Sequence, residues 1–176
     1  NLGNKIIVEA VYKALREIFP HDFFYRVPAL EYLQAGIIKI QEADYVFLAG
    51  TNLLSSDMEK TSQWCAKPQE TFWQNKVILM GLGWWQYQQI MPNEYTKILL
   101  NKTLNKNNIH SLRDGYTAKR FTQLGFKGIN TGCPTMWWLT EEHCAGIPRE
   151  KAEKALLTFT EYNQNPQLDR LLFDLV

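Results

Sequence analysis

Apolar residues recur at helical spacing in residues 5–18, where Ile7, Ala10, Val11, Ala14, Leu15 and Ile18 share one face before Phe19-Pro20. That spacing predicts a helix that the proline ends. The aromatic stretch 22–27, Asp-Phe-Phe-Tyr-Arg-Val, is short and stops at Pro28, which predicts a strand. Residues 29–42 return to a helical period, weakened by Gly36. Tyr45-Val46-Phe47-Leu48-Ala49 is unbroken apolar sequence before Gly50, the pattern of a strand buried on both faces. Residues 51–75 are polar and irregular, and a long functional loop with a helical turn or two is expected there. A second buried strand is expected over 76–80, closed by Gly81-Leu82-Gly83. A helix opened by Pro92-Asn93-Glu94 should run to Leu104, followed by a strand at 108–113, a helix at 117–124 stopped by Gly125, and a strand at 127–130.

This alternation predicts an α/β fold, a Rossmann-like and mostly parallel sheet with helices on both faces. There are no internal repeats or low-complexity segments. Residues 141–154, beginning Glu-Glu-His-Cys-Ala-Gly-Ile-Pro, are polar and punctuated, and read as a linker after a domain of residues 1–140. Beyond it, a strand at 155–160 and a helix at 166–176 are too little to bury a core. They either join the main sheet or open a second domain. The chain starts without Met, in what reads as a loop, so one or both ends are expected to be missing from the natural protein.

Composition narrows the function. The 176 residues are 45% hydrophobic and 13% aromatic, enough for a real core. A net charge of +1 gives no basic face for nucleic acid. The longest apolar run, residues 76–85, holds two glycines and falls short of the ~18–20 residues of a membrane helix. Nothing at the amino end resembles a signal peptide. The three cysteines, Cys65, Cys133 and Cys144, are odd in number and irregular in spacing, which argues against a disulfide framework and for a reducing cytoplasm. Cys133, His143 and Cys144 lack metal-ligand spacing, so no metal is expected. Neither Gly50-Thr51-Asn52 nor Gly81-Leu82-Gly83 completes a dinucleotide or P-loop fingerprint, and no cofactor is expected. Asn101-Lys102-Thr103 matches a glycosylation acceptor by chance.

Residues 111–135 carry the strongest functional signal. Two strand ends, one at Arg113-Asp114 and one at Gly132-Cys133-Pro134-Thr135, fall within this stretch, and α/β proteins bind ligands at the carboxyl ends of strands. Arg113 could fork onto a phosphate or carboxylate. Asp114 could orient it or cap the next helix, and a salt bridge with a cap and no ligand accounts for the same residues. Cys133 has only the distant His143 as a local base and reads as a small hydrophobe in a turn rather than a nucleophile. Gly50, Thr51, Asn52 and Gly83 mark two more strand ends held open, and Asn1-Leu2-Gly3-Asn4 before a helix could aim amides at an anion. The aromatics Trp84, Trp85, Tyr87, Trp137 and Trp138 read as core or interface before they read as a sugar platform.

With those residues in hand, the chain resembles the polysaccharide pyruvyl transferase family. Asn1-Leu2-Gly3-Asn4 is similar to the family's Asn-x-Gly-Asp opening, with Asn4 in place of the usual Asp. Residues 43–50 resemble its acidic-then-apolar strand running into a glycine turn, here Gly50-Thr51-Asn52 instead of a run of glycines. Ser111-Leu112-Arg113-Asp114 through Leu124-Gly125 resembles its Ser-x-Arg-Asp, helix, Leu-Gly pattern, and Thr131-Gly132-Cys133-Pro134 its Gly-Cys-Pro turn. The resemblance spans the whole chain. It implies two Rossmann-like domains in a glycosyltransferase-B-like arrangement, with this chain holding the amino-terminal domain and the first strand and helix of the second. The implied activity moves the enolpyruvyl group of phosphoenolpyruvate to a sugar, leaving a cyclic ketal. The implied partners are phosphoenolpyruvate and a sugar or lipid-linked oligosaccharide acceptor, with Arg113 a candidate for gripping the donor. A homo-oligomer is left open, and a lone half of the cleft is expected to be inactive. Two other readings stay open: a sugar-nucleotide glycosyltransferase of similar architecture, and a non-catalytic small-ligand binding or assembly module.

Overall fold

The computed structural model describes residues 2–31, 34–154, 156 and 165–174. The chain divides into two compact units, Asn1–Thr140 and Glu141–Val176. The first unit carries α1 (Leu2–Ile18), α2 (Gln34–Glu42), β1 (Val46–Ala49), β2 (Val77–Met80), α3 (Glu94–Thr103), β3 (His110–Leu112), α4 (Gly115–Gln123) and β4 (Gly128–Asn130). The second carries α5 (Glu141–Ala145) and α6 (Pro166–Asp174).

All the ladders are parallel, as the alternation of strands and helices requires. β1 pairs with β2 from Val46 opposite Val77 to Ala49 opposite Met80, and β3 pairs with β4 from His110 opposite Gly128 to Leu112 opposite Asn130. The two ladders meet along β2 in three steps. At the start of β2, Asn105 N–H donates to the Val77 carbonyl at 2.9 Å. At its end, Gly81 N–H donates to Ser111 O at 2.9 Å and Arg113 N–H to Leu82 O at 2.8 Å. Between them the acceptor is a side chain: Leu79 N–H donates to His110 Nδ1 at 3.1 Å. An amide N–H can only donate, so Nδ1 is bare and the imidazole proton sits on Nε2, which donates to Asn105 O at 2.8 Å. His110 is fully buried, edge-on to Phe121 with ring centroids 5.1 Å apart.

The core gathers Leu48, Val77, Leu79, Leu82 and Leu112 from the strands with Leu99, Leu100 and Phe121 from the helices. Both crossover helices start on side-chain caps. Asn93 accepts from Thr96 N–H at 2.8 Å and Asp114 accepts from Thr117 N–H at 2.7 Å, satisfying amides that a helix start leaves open.

Four expectations change. Residues 22–27 join no ladder among the described residues. Their side chains instead pack on helices: Phe24 stands edge-on to Tyr12, and Arg26 pairs with Glu9 at 2.6 Å. Residues 51–75 are irregular as expected, yet they are core-forming rather than a solvated loop. They bury Leu53, Leu54, Met58, Trp64 and Trp73, with the two indoles edge to face at 5.5 Å. α1 begins at Leu2, so Gly3 and Asn4 lie in its first turn and not ahead of it. The expected linker contains the short helix α5. The helix foreseen at 166–176 is present over Pro166–Asp174, while the strand foreseen at 155–160 lies outside the described residues apart from Leu156, which is exposed.

Burial holds the His110 pKa below its ordinary 6.5, because the imidazolium would lose its hydration, with the Asn105 hydrogen bond acting in the opposite direction. The unfolded chain therefore takes up a proton that the folded chain refuses. Stability should be level above about pH 6.5 and fall below it, by at most about 1.4 kcal/mol per pH unit. Urea unfolding across this range should show the slope, and His110→Gln should flatten it whatever its own baseline stability.

Candidate functional site

The carboxyl ends of the four strands converge because glycines stand where side chains would collide. A Cβ on Gly50 would run into the Gly81 carbonyl, and one on Gly81 would run into the ring of Pro134. Gly81 also has φ of +70°, which an L side chain resists. These contacts bring the turn after β4 against the end of β2. Hydrogen bonds then lock the ends together: Gly50 N–H donates to Met80 O at 2.9 Å, Gly83 N–H to Thr51 O at 3.0 Å and Thr131 N–H to Leu112 O at 2.8 Å.

Gly83 faces the site's charged residue. A Cβ there would strike Asn52 Oδ1 and come within 3.0 Å of the Arg113 guanidinium carbon. Asn52 and Arg113, expected from separate strand ends, thus meet over one glycine. Asp114 does what its position suggested: Oδ1 caps α4, while Oδ2 lies 3.9 Å from Arg113 Nε, an ion pair without a hydrogen bond. Asn52 Oδ1 and Asp114 Oδ2 are both buried and lack a hydrogen-bond donor. Buried polar atoms are rarely left so. Arg113 is about a quarter exposed, at 23%, and its fork of N–H donors faces these two acceptors without a close hydrogen bond to either.

The remaining site residues form the rim. Gly132 has φ of +75°, and its amide donates to Asn130 Oδ1 at 3.0 Å. Cys133 Sγ lies 3.2 Å from Thr135 Oγ1, a hydroxyl and not a base, in keeping with a turn residue rather than a nucleophile. Pro134 opens the 3-10 turn Pro134–Met136, on which α1 packs. Thr135 and Trp138 face Leu2, Ile6 and Ala10 of α1 across a pocket of about 470 Å³. Gly3 and Asn4 sit on that helix, in its first turn. Asn1 lies outside the described residues.

A family model described as polysaccharide pyruvyl transferase matches residues 1–174 of the 176-residue chain. The chain belongs to the polysaccharide pyruvyl transferase family. No curated protein and no solved structure matches it. In this member of the family, the Ser-x-Arg-Asp stretch works as one unit. Ser111 Oγ accepts from Gly81 N–H at 3.0 Å and meets Thr131 Oγ1 at 2.5 Å, so the serine ties three strand ends together beneath Arg113.

Sequence reasoning missed Arg120. It is 8% exposed and has no carboxylate within reach among the described residues. Nε donates to Tyr116 Oη at 2.9 Å, and Nη2 donates to the carbonyls of Gln88 and Gln89 at 3.0 and 2.5 Å. The Tyr116 hydroxyl in turn donates to Gln88 O. This clamp fixes the segment that follows Gly83, where Gln86 and Tyr87 hold left-handed backbone at φ of 46° and 48°. A signal was available, since Arg120 shares the inward stripe of α4 with Thr117 and Phe121. Of the aromatics near the strand ends, Trp84 is core, fully buried with Nε1 donating to Ser56 Oγ at 3.2 Å. Trp138 is 40% exposed beneath Lys13. Among the described residues no group of three His, Cys, Asp or Glu could hold a metal, and no helix is long and apolar enough to cross a membrane.

Arg120→Met takes the Arg120 donor from the Gln89 carbonyl and leaves Gln88 O with the Tyr116 hydroxyl alone. It should destabilise the protein by about 1–3 kcal/mol in urea unfolding, with faster amide exchange across residues 85–91 than elsewhere.

Proposed function

We propose that the strand-end cluster binds phosphoenolpyruvate, with Arg113 forked onto its phosphate or carboxylate, and that the chain serves transfer of pyruvate to a sugar as a ketal. The observation that carries this reading is Arg113 itself, a guanidinium facing two orphan acceptors over Gly83, in a chain of the pyruvyl transferase family. A planar fork suits a carboxylate or phosphate better than a neutral ligand. The donor's methylene carbon takes a proton, and the resulting oxocarbenium-like carbon is attacked by a sugar hydroxyl. The carbon–oxygen bond to phosphate then breaks, releasing inorganic phosphate, and a second hydroxyl of the sugar closes the ketal. A fixed cation near the departing phosphate stabilises the charge that develops there.

On this reading the acceptor is a sugar or lipid-linked oligosaccharide of cell-surface polysaccharide synthesis, decorated on the cytoplasmic side. Residues 1–140 form the amino-terminal Rossmann-like domain, and residues 155–176 begin a second one in a glycosyltransferase-B-like pair.

Phosphoenolpyruvate should raise the melting temperature of the chain, and Arg113→Ala should remove that rise while shifting unliganded stability by no more than about 0.5 kcal/mol. A large stability loss with binding intact would make Arg113 structural. A rise with a nucleoside diphosphate sugar but not with phosphoenolpyruvate would favour a glycosyltransferase instead.

A further inference from the structure

A groove of about 1150 Å³ runs between α1, residues 22–29, α2 and β1, far larger than the pocket beside Thr135. Its lining is mostly apolar, with Val11 and Leu15 from α1, Ile40 from α2 and Val46 and Leu48 from β1, while Arg26, Lys39, Glu42 and Asp44 also border it. Two lengths of main chain border it without a ladder partner among the described residues. Among the described residues β1 pairs only with β2, which leaves its other edge open. Within the aromatic stretch 22–27, Asp22 N–H donates to Phe19 O at 3.4 Å and residues 23–27 donate no main-chain hydrogen bond among the described residues. Phe23, Tyr25 and Tyr45 stand 80%, 59% and 58% exposed around them. Folded proteins cover open edges and apolar clefts of this kind.

We propose that this groove is the seat of one further β-strand, parallel to β1, supplied by polypeptide outside residues 1–176 and leading directly into the amino end of α1. Three features select that occupant. A strand lying between β1 and residues 23–28 would pair with both open edges at once and extend the existing β1–β2 ladder. Right-handed crossover then makes α1 the connection from the new strand to residues 23–28, and α2 the connection from those residues to β1. The mostly apolar lining suits a strand that is largely hydrophobic, as a strand buried on both faces is.

The resulting strand order has a chemical consequence. Residues 23–28 lie outermost, then the added strand, then β1, β2, β3 and β4, so the direction of winding reverses between the added strand and β1. Ligands bind at that reversal, beyond the carboxyl ends of the two strands. One of those ends is Gly50-Thr51-Asn52 and the other is the first turn of α1, with Gly3 and Asn4. The added strand would thereby give the Asn-x-Gly-Asn opening a place beside Asn52, which the residues already described do not provide.

The test is amide exchange by mass spectrometry on the 176-residue chain and on the same chain carrying whatever stretch, up to roughly 15 residues, the natural reading frame encodes ahead of Asn1. That stretch should contain an apolar run of about four to six residues, the usual length of a strand. In the longer protein, amides of residues 23–28 and 46–49 should exchange at least about tenfold more slowly, and a proline in the middle of the run should restore fast exchange. If the longer protein does not fold, the run is added as a synthetic peptide to the 176-residue chain and should slow the same amides. Absence of an apolar run, unchanged exchange with both the longer chain and the peptide, or protection that grows with protein concentration in step with dimer formation would each overturn the proposal, the last by making a second copy the occupant.

Discussion

The junction between the two parallel ladders is completed at its centre by an imidazole in place of a carbonyl. Between the pairing at Val77 and the pairing at Gly81, the β2 edge would leave Leu79 N–H facing the core with nothing to receive it, and a buried amide without an acceptor costs about 1–3 kcal/mol. His110 fills that gap from β3 and donates its own Nε2–H to Asn105 O. One side chain thus joins the chain before β3, β3 itself and β2. The strand ends that make up the site, Gly50 to Asn52 on one ladder and Arg113 to Asp114 on the other, keep their spacing through this junction.

The site sits where packing is closest. Gly81 admits Pro134, and Gly83 admits Asn52 and Arg113, so backbone and guanidinium share space that any side chain would fill. Around this tight floor two acceptors stay unsatisfied. Tight packing combined with unmet hydrogen bonding is what the proposed binding role would account for.

Much of the fold was legible because it is written in local periodicity. The apolar runs before Gly50 and Gly81 gave β1 and β2, and the Asn93 and Asp114 caps marked α3 and α4. What was not legible depended on partners distant in sequence. Residues 22–27 look like a strand, but a strand exists only against another edge. Residues 51–75 hide Leu53, Leu54, Met58, Trp64 and Trp73 among polar residues at no regular interval, so their polar character masked a part of the core. At the site, Arg113 and Asp114 could be read from their place at a strand end. Their meeting with Asn52 over Gly83 is a contact between strands that no local pattern encodes. Arg120 was missed because arginine on a helix is usually solvated, and its acceptors lie about thirty residues away in the segment after Trp84.

α4 links these features mechanically. Its first amides hang on Asp114, the residue paired with Arg113, and its inner face carries Tyr116 and Arg120, which hold the carbonyls of Gln88 and Gln89. The helix is nine residues long, a span of about 13 Å at 1.5 Å per residue, short enough to behave as a rigid rod. One rigid element therefore joins the Asp114 cap to the carbonyls of Gln88 and Gln89. Tyr87, edge-on to Tyr116 at 5.4 Å, is thereby held to the same helix that Asp114 caps.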